Sequence, residues 1–126
     1  MEEILRFESS SHHLDRWAME DFELHGETIR RGDRVLVLLP LVNRDSSRFE
    51  RPDELDFART DKGHLSFGHG IHFCPGAQLA RMETRIGIGT LLRRLPGLRL
   101  KEPANAIPWD LNGPIRGVRE LHVITG

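Results

Sequence analysis

Phe67-Gly68-His69-Gly70-Ile71-His72-Phe73-Cys74-Pro75-Gly76 holds the only cysteine of this 126-residue chain and runs directly into a helical pattern that begins at Ala77. Closely spaced glycines open backbone angles closed to other residues and let a flat ligand approach the main chain. Cys74 stands just ahead of a helix N-terminus, where free N–H groups and the positive end of the dipole favour thiolate over thiol. A thiolate framed by backbone donors is suited to ligate a metal.

The stretch resembles the cysteine loop of the cytochromes P450, aromatic-Gly-x-Gly-x-His-x-Cys-x-Gly. The similarity continues through Ala77-Gln78-Leu79-Ala80-Arg81-Met82-Glu83, as in bacterial, soluble members. The resemblance implies haem b (iron protoporphyrin IX) with Cys74 as its axial thiolate, a ligand whose electron density favours O–O cleavage. It implies that Phe67 shields the sulfur, that Gly68 and Gly76 shape the loop, and that His72 donates to a haem propionate. Pro75 departs from the pattern, since most members carry a residue there whose N–H can point at the sulfur. Proline has no N–H, and hydrogen bonds to a metal-bound sulfur raise the potential. A more electron-rich thiolate is therefore expected here.

Upstream, Glu2 to Phe7 reads as the end of a helix, with nothing to cap its start, which suggests truncation. Glu3-Ile4-Leu5-Arg6 places a carboxylate and a guanidinium one turn apart on one face. Alone this would be a surface ion pair. Beside the cysteine loop it resembles the family's Glu-x-x-Arg, whose third partner is by position Arg59 of Leu55-Asp56-Phe57-Ala58-Arg59. Such a triad is costly to bury and costly to break, and its implied role is to pin the long loop Asp45 to Ser66. Arg16, five residues before Asp21, matches an arginine that pairs with a haem propionate, a role its rigid bidentate fork suits. His12 and His13 have no such support.

Between these landmarks, Leu14 to Ala18 has strand character, and Phe22 to Ile29 reads as a hairpin turning at His25-Gly26. Arg31-Gly32-Asp33 makes another turn. The apolar run Val35 to Leu39 predicts a strand buried on both faces, closed by Pro40, with one helical turn at Leu41 to Arg44. After the cysteine loop, Ala77 to Leu95 carries an apolar stripe through Leu79, Met82, Ile86, Leu91 and Leu95, ended by Pro96-Gly97. Gly87 and Gly89 weaken this helix by about 1 kcal/mol each against alanine, unless they serve close approach to haem or a neighbouring helix. Leu98 to Leu100 and Leu121 to Ile124 read as strands. Trp109 to Ile115 reads as a turn; by resemblance, its part from Leu111 reaches into a substrate pocket.

The fold class expected is α+β, the C-terminal part of the mostly helical P450 fold, with residues 1–126 forming a partial domain. Hydrophobic residues make up 38% and aromatics 6%, a mild deficit that fits a piece of a larger core. A net charge of −1 marks no nucleic-acid or anionic-membrane partner. One cysteine excludes an internal disulfide and suits a reducing, cytoplasmic setting. No apolar run of about 18 residues and no signal pattern is seen.

Two other readings of the loop are weaker. His69, His72 and Cys74 would be zinc ligands without an evident fourth. A dinucleotide loop fails because position 73 is Phe and no buried strand leads in. Arg81, Arg85, Arg93 and Arg94 are either a solvated helix face or a basic patch for an acidic donor of the ferredoxin/ferredoxin reductase type. The parent activity implied is monooxygenation of a small apolar organic substrate. The runner-up is a truncated, inactive fragment, because the family's distal acid–alcohol helix is expected ahead of Glu2.

Overall fold

The computed structural model describes every residue except Leu111. The fold is α+β. Helix α1 (Glu2–Phe7) leads into strand β1 (His13–Trp17), the hairpin β2 (Phe22–Leu24) and β3 (Glu27–Ile29), strand β4 (Arg34–Leu38) and the short helix α2 (Leu39–Val42). A long irregular passage follows, then a 3₁₀ turn over Gly70–His72, helix α3 (Ala77–Arg94) and four two-residue strands, β5 (Arg99–Leu100), β6 (Trp109–Asp110), β7 (Gly117–Val118) and β8 (Val123–Ile124).

All strand pairs are antiparallel: β1 with β4, β2 with β3, β5 with β8, and β6 with β7. Turn chemistry explains the first half. His25 and Gly26 adopt φ of 51° and 87°, the left-handed pair a tight hairpin needs, and Gly32 turns at 92°. β1 and β4 register from His13 opposite Leu38 to Trp17 opposite Arg34.

The apolar run does not become a strand buried on both faces. β4 alternates half-buried and exposed, with Leu36 45% and Leu38 43% exposed. Its Val35 and Val37 side is half-buried and its Leu36 and Leu38 side is open, as an antiparallel sheet covered on one face allows. Leu39 leaves the strand and becomes wholly buried at the start of α2, with Pro40 in that helix's first turn, where a missing N–H costs nothing. The helical turn therefore starts two residues earlier than the sequence pattern suggested. Trp109 and Asp110 are likewise strand rather than turn. This C-terminal hairpin lies against the link after α1: Arg116 N–H donates to Ser10 C=O at 2.6 Å and His12 N–H to Pro114 C=O at 2.8 Å.

The buried set is small, and polar side chains make up about as much of it as apolar ones. Ala18, Leu39, Phe49 and Ala77 are its apolar members, while Glu3, Arg6, Ser9 and Asn43 are buried with them. The stripe on α3 faces outward: Leu79, Met82, Ile86 and Leu91 are all exposed, and Leu95 is half-buried. A methyl group at Gly87 would meet nothing within 4 Å, and at Gly89 only the tip of Arg93. Neither glycine serves a close approach among the described residues.

Candidate functional site

The scaffold beneath the cysteine loop is built from charge. Arg6 donates to Glu3 through Nε (2.8 Å) and Nη2 (2.7 Å), a bidentate pair within one helical turn. Its remaining donors reach the carbonyls of Asn43 and Pro52 (2.8 Å each) and Glu54 (3.0 Å). Arg59 Nε comes to 3.2 Å from Glu3, and the Asp56 N–H donates to it at 3.0 Å. The structure thus brings Glu3, Arg6 and Arg59 together. The Arg6 guanidinium, then the Asp56 amide and Arg59, hold the Glu3 carboxyl at about 2 against an ordinary 4.5, with burial opposing them. Every donor that enters this set comes from α1 or from the loop, so the set joins the two.

Asn43 is a second anchor that the sequence pattern did not single out. Its Nδ2 donates to Ser9 Oγ (2.8 Å) and Ser66 Oγ (2.9 Å), and its Oδ1 accepts the Leu65 N–H (2.7 Å). Ser66 Oγ also donates to Leu5 C=O at 2.6 Å. The residues just before the cysteine loop are therefore tied to both α1 and α2. The only signal in the chain order is a polar residue closing the apolar stretch Leu38 to Val42.

The loop is closed on itself. Cys74 N–H donates to Phe67 C=O at 2.8 Å, Gly68 N–H to Leu65 C=O at 2.8 Å, and Phe73 N–H to Gly70 C=O at 3.0 Å. Gly68 is buried at φ 75°, and a Cβ there would sit 3.3 Å from His72 C=O and 3.8 Å from a Leu14 methyl. Residue 68 must be glycine for both reasons. The contact also shows that the loop packs on the Leu14 face of β1. Arg16, two residues on, shares that face; it is half-buried, with Nη1 donating to Asp15 C=O at 2.7 Å.

Cys74 is half-buried and unpaired, at the N-terminal edge of α3, with Gly76 as the helix's N-cap. Phe67 is half-buried, its ring 6.5 Å from that of Phe73. His72 and Ile71 are exposed, Ile71 at 97%. Among the described residues no three His, Cys, Asp or Glu side chains converge as metal ligands would. No described helix is long and apolar enough to cross a membrane.

The four arginines of α3 do not form one patch. Arg81 is held by Glu2 at 2.8 Å. Arg85 and Arg94 lie about 180° apart around the helix, and Arg93 donates to Thr90 Oγ1 at 3.1 Å.

The sequence profile described as Cytochrome P450 matches residues 1–106. The chain is 47% identical to pentalenic acid synthase of Streptomyces avermitilis over 98% of its own length and 31% of that protein's. It is 49% identical to the biotin biosynthesis cytochrome P450 of Bacillus subtilis, over 96% of this chain and 29% of that one. Among solved structures, P450BioI in complex with an acyl carrier protein bearing hexadec-9Z-enoic acid superposes with a TM-score of 0.92 at 43% identity, over 99% of this chain and 32% of that one. The P450 monooxygenase TamI superposes at 0.93 with 43% identity, over 99% and 31%. The chain spans about a third of the length of the curated relatives it matches.

Proposed function

The chain belongs to the cytochrome P450 family, and from that premise we propose that it is the haem-ligating C-terminal segment of a monooxygenase, with Cys74 as the axial thiolate. The observation that carries the reading is a single half-buried thiol on a self-bonded loop at a helix N-terminus. Among the described residues no cluster of three ligating side chains surrounds it, and a lone thiolate is the donor that the family's haem, which carries its other ligands with it, would need. The donor set fits that group: the half-buried Cys74 thiol stands alone at the loop's end, and exposed Ile71 and half-exposed Phe73 offer apolar surface beside it.

When bound, haem would supply the oxygen chemistry, in which one atom of dioxygen enters a small apolar substrate and the other leaves as water, using two protons and, from a ferredoxin-type donor in the cytoplasm, two electrons. The chain's own residues do simpler work. Cys74 ligates through sulfur, Arg16 and His72 hold propionates, and Phe67 covers the sulfur. Glu3, Arg6 and Arg59 hold the loop that positions them. Pro75 withholds one donor from the sulfur.

Adding haem to the purified chain and reducing it under carbon monoxide tests the reading. A band near about 450 nm, the mark of thiolate ligation, is expected, and Cys74→Ser should remove it. A short-wavelength band in the unaltered chain, or no haem uptake, overturns it. Redox titration of the loaded protein should give a lower potential than Pro75→Leu; equal potentials would leave the proline without electronic effect.

A further inference from the structure

Outside the Glu3 network, a second set of charged groups converges on the start of the cysteine loop. Arg81, one turn into α3, donates from Nε to both oxygens of Glu2 at 3.0 and 3.1 Å, and from Nη2 to Oε2 at 2.8 Å. The centre of the same guanidinium lies 4.6 Å from the centroid of the Phe67 ring. His64 completes the set, with Nε2 3.3 Å from Glu2 Oε2 and Nδ1 accepting the Ser66 N–H at 3.2 Å. That backbone donor assigns the ring proton to Nε2, so neutral His64 donates to Glu2. The imidazole is 3% exposed, and burial, with Glu2 opposing it, keeps its pKa below the ordinary value.

Glu2 is thereby committed on both oxygens, and its bidentate grip fixes the plane of the Arg81 fork. Rigid planarity distinguishes arginine from lysine at a stacked site, and a guanidinium over an aromatic ring adds attraction of its own. Phe67 is in turn bonded to the cysteine, since its carbonyl accepts the Cys74 N–H at 2.8 Å. Contacts run without a break from Glu2 through Arg81 and Phe67 to Cys74.

We propose that Arg81, oriented by Glu2, is a positioning residue that sets where the Cys74 sulfur stands by clamping Phe67. The proposal rests on the reading of Cys74 as the iron ligand. It also withdraws Arg81 from any docking patch, leaving Arg85, Arg93 and Arg94 as the exposed cations of α3.

Amide hydrogen exchange in the chain without haem tests the clamp. Arg81→Ala and Glu2→Gln should each speed exchange at the Cys74 N–H by about tenfold, with the β1 amides unchanged. Arg81→Lys, which keeps charge but loses the flat fork, should fall between them and the unaltered chain. Equal Cys74 exchange in all four proteins overturns the proposal. If Arg81→Ala unfolds the chain, the lysine variant decides: selective loss at Cys74 supports the clamp, and uniform loss across β1 and the loop overturns it. In haem-loaded protein, Arg81→Ala should show a larger share of the short-wavelength carbon monoxide band than Arg93→Ala, and matching spectra would count against the role. Failure of the unaltered chain to give the thiolate band would count against Cys74 as ligand alone, because the exchange measurement needs no haem.

Discussion

Glu3 and Arg6 are 7% and 1% exposed, whereas Leu79, Met82, Ile86 and Ile88 of α3 are 53%, 54%, 61% and 52% exposed. The two regions invert the usual relation between hydropathy and burial. Near Glu3 each buried donor and acceptor finds a partner inside the chain, so a carboxylate and two guanidiniums can leave water without being orphaned. Along α3 no described surface of this chain covers the hydrocarbon. An apolar groove lined by Ile4, Leu5, Ile88 and Leu92 opens between α1 and α3. Around Glu3, burial follows the completeness of hydrogen bonding before it follows apolarity; Arg44 Nε, beyond that set, is buried without a partner.

Removing one partner from the charged region is the strongest way to break that contrast. Glu3→Gln leaves Arg6 and Arg59 buried without a counter-charge and should cost about 3–5 kcal/mol in urea unfolding. A loss below about 1 kcal/mol would place the pair among ordinary exposed ion pairs.

Acid titrates the same group without mutation. The Glu3 carboxyl is held at about 2 when folded against an ordinary 4.5, so the folded state binds the proton less readily than the unfolded chain. Its stabilisation is therefore complete above about pH 4.5 and is lost as pH falls toward 2, amounting to about 3 kcal/mol. Unfolding curves recorded from pH 6 downward should show that loss in the unaltered chain and not in Glu3→Gln; parallel curves would refute the assignment.

Asn43→Ala comes next. It strands the Leu65 N–H and takes one donor from each of two serine hydroxyls that keep their bonds to Leu5 C=O, for about 1–3 kcal/mol, and faster amide exchange at Leu65 and Ser66 should mark where. The exposed helix should respond least. Ile86→Ala is expected to change stability by no more than about 0.5 kcal/mol. A large destabilisation would mean that α3 is covered in solution, and the contrast with Glu3 would dissolve.

Much of this was legible from residue order, for local reasons. The ends of α3 follow from Gly76 ahead of it and Pro96 behind it, within one residue of the expected Leu95. The hairpin at His25-Gly26 follows from the angles its turn requires. The site was legible where spacing itself sets proximity, as in the four-residue span of Glu3 and Arg6 or the ten residues of the loop. It was illegible where partners lie far apart in the chain. Arg81 reads as one more helix arginine until Glu2, 79 residues earlier, is seen to hold it. Asn43 looks like the close of a helical turn until Ser9 and Ser66 arrive from either side.

Sequence alone determined the hairpin, the long helix and the family the loop belongs to, though not the strands β6 and β7, because turns, helix stops and a ten-residue motif depend on neighbours along the chain. Only the tertiary structure decided which face of β4 is covered, where Arg81 spends its charge, and that Glu3 is dry while Ile86 is wet. Those outcomes depend on which surfaces meet, and residues forty or eighty positions apart meet only once the chain has folded.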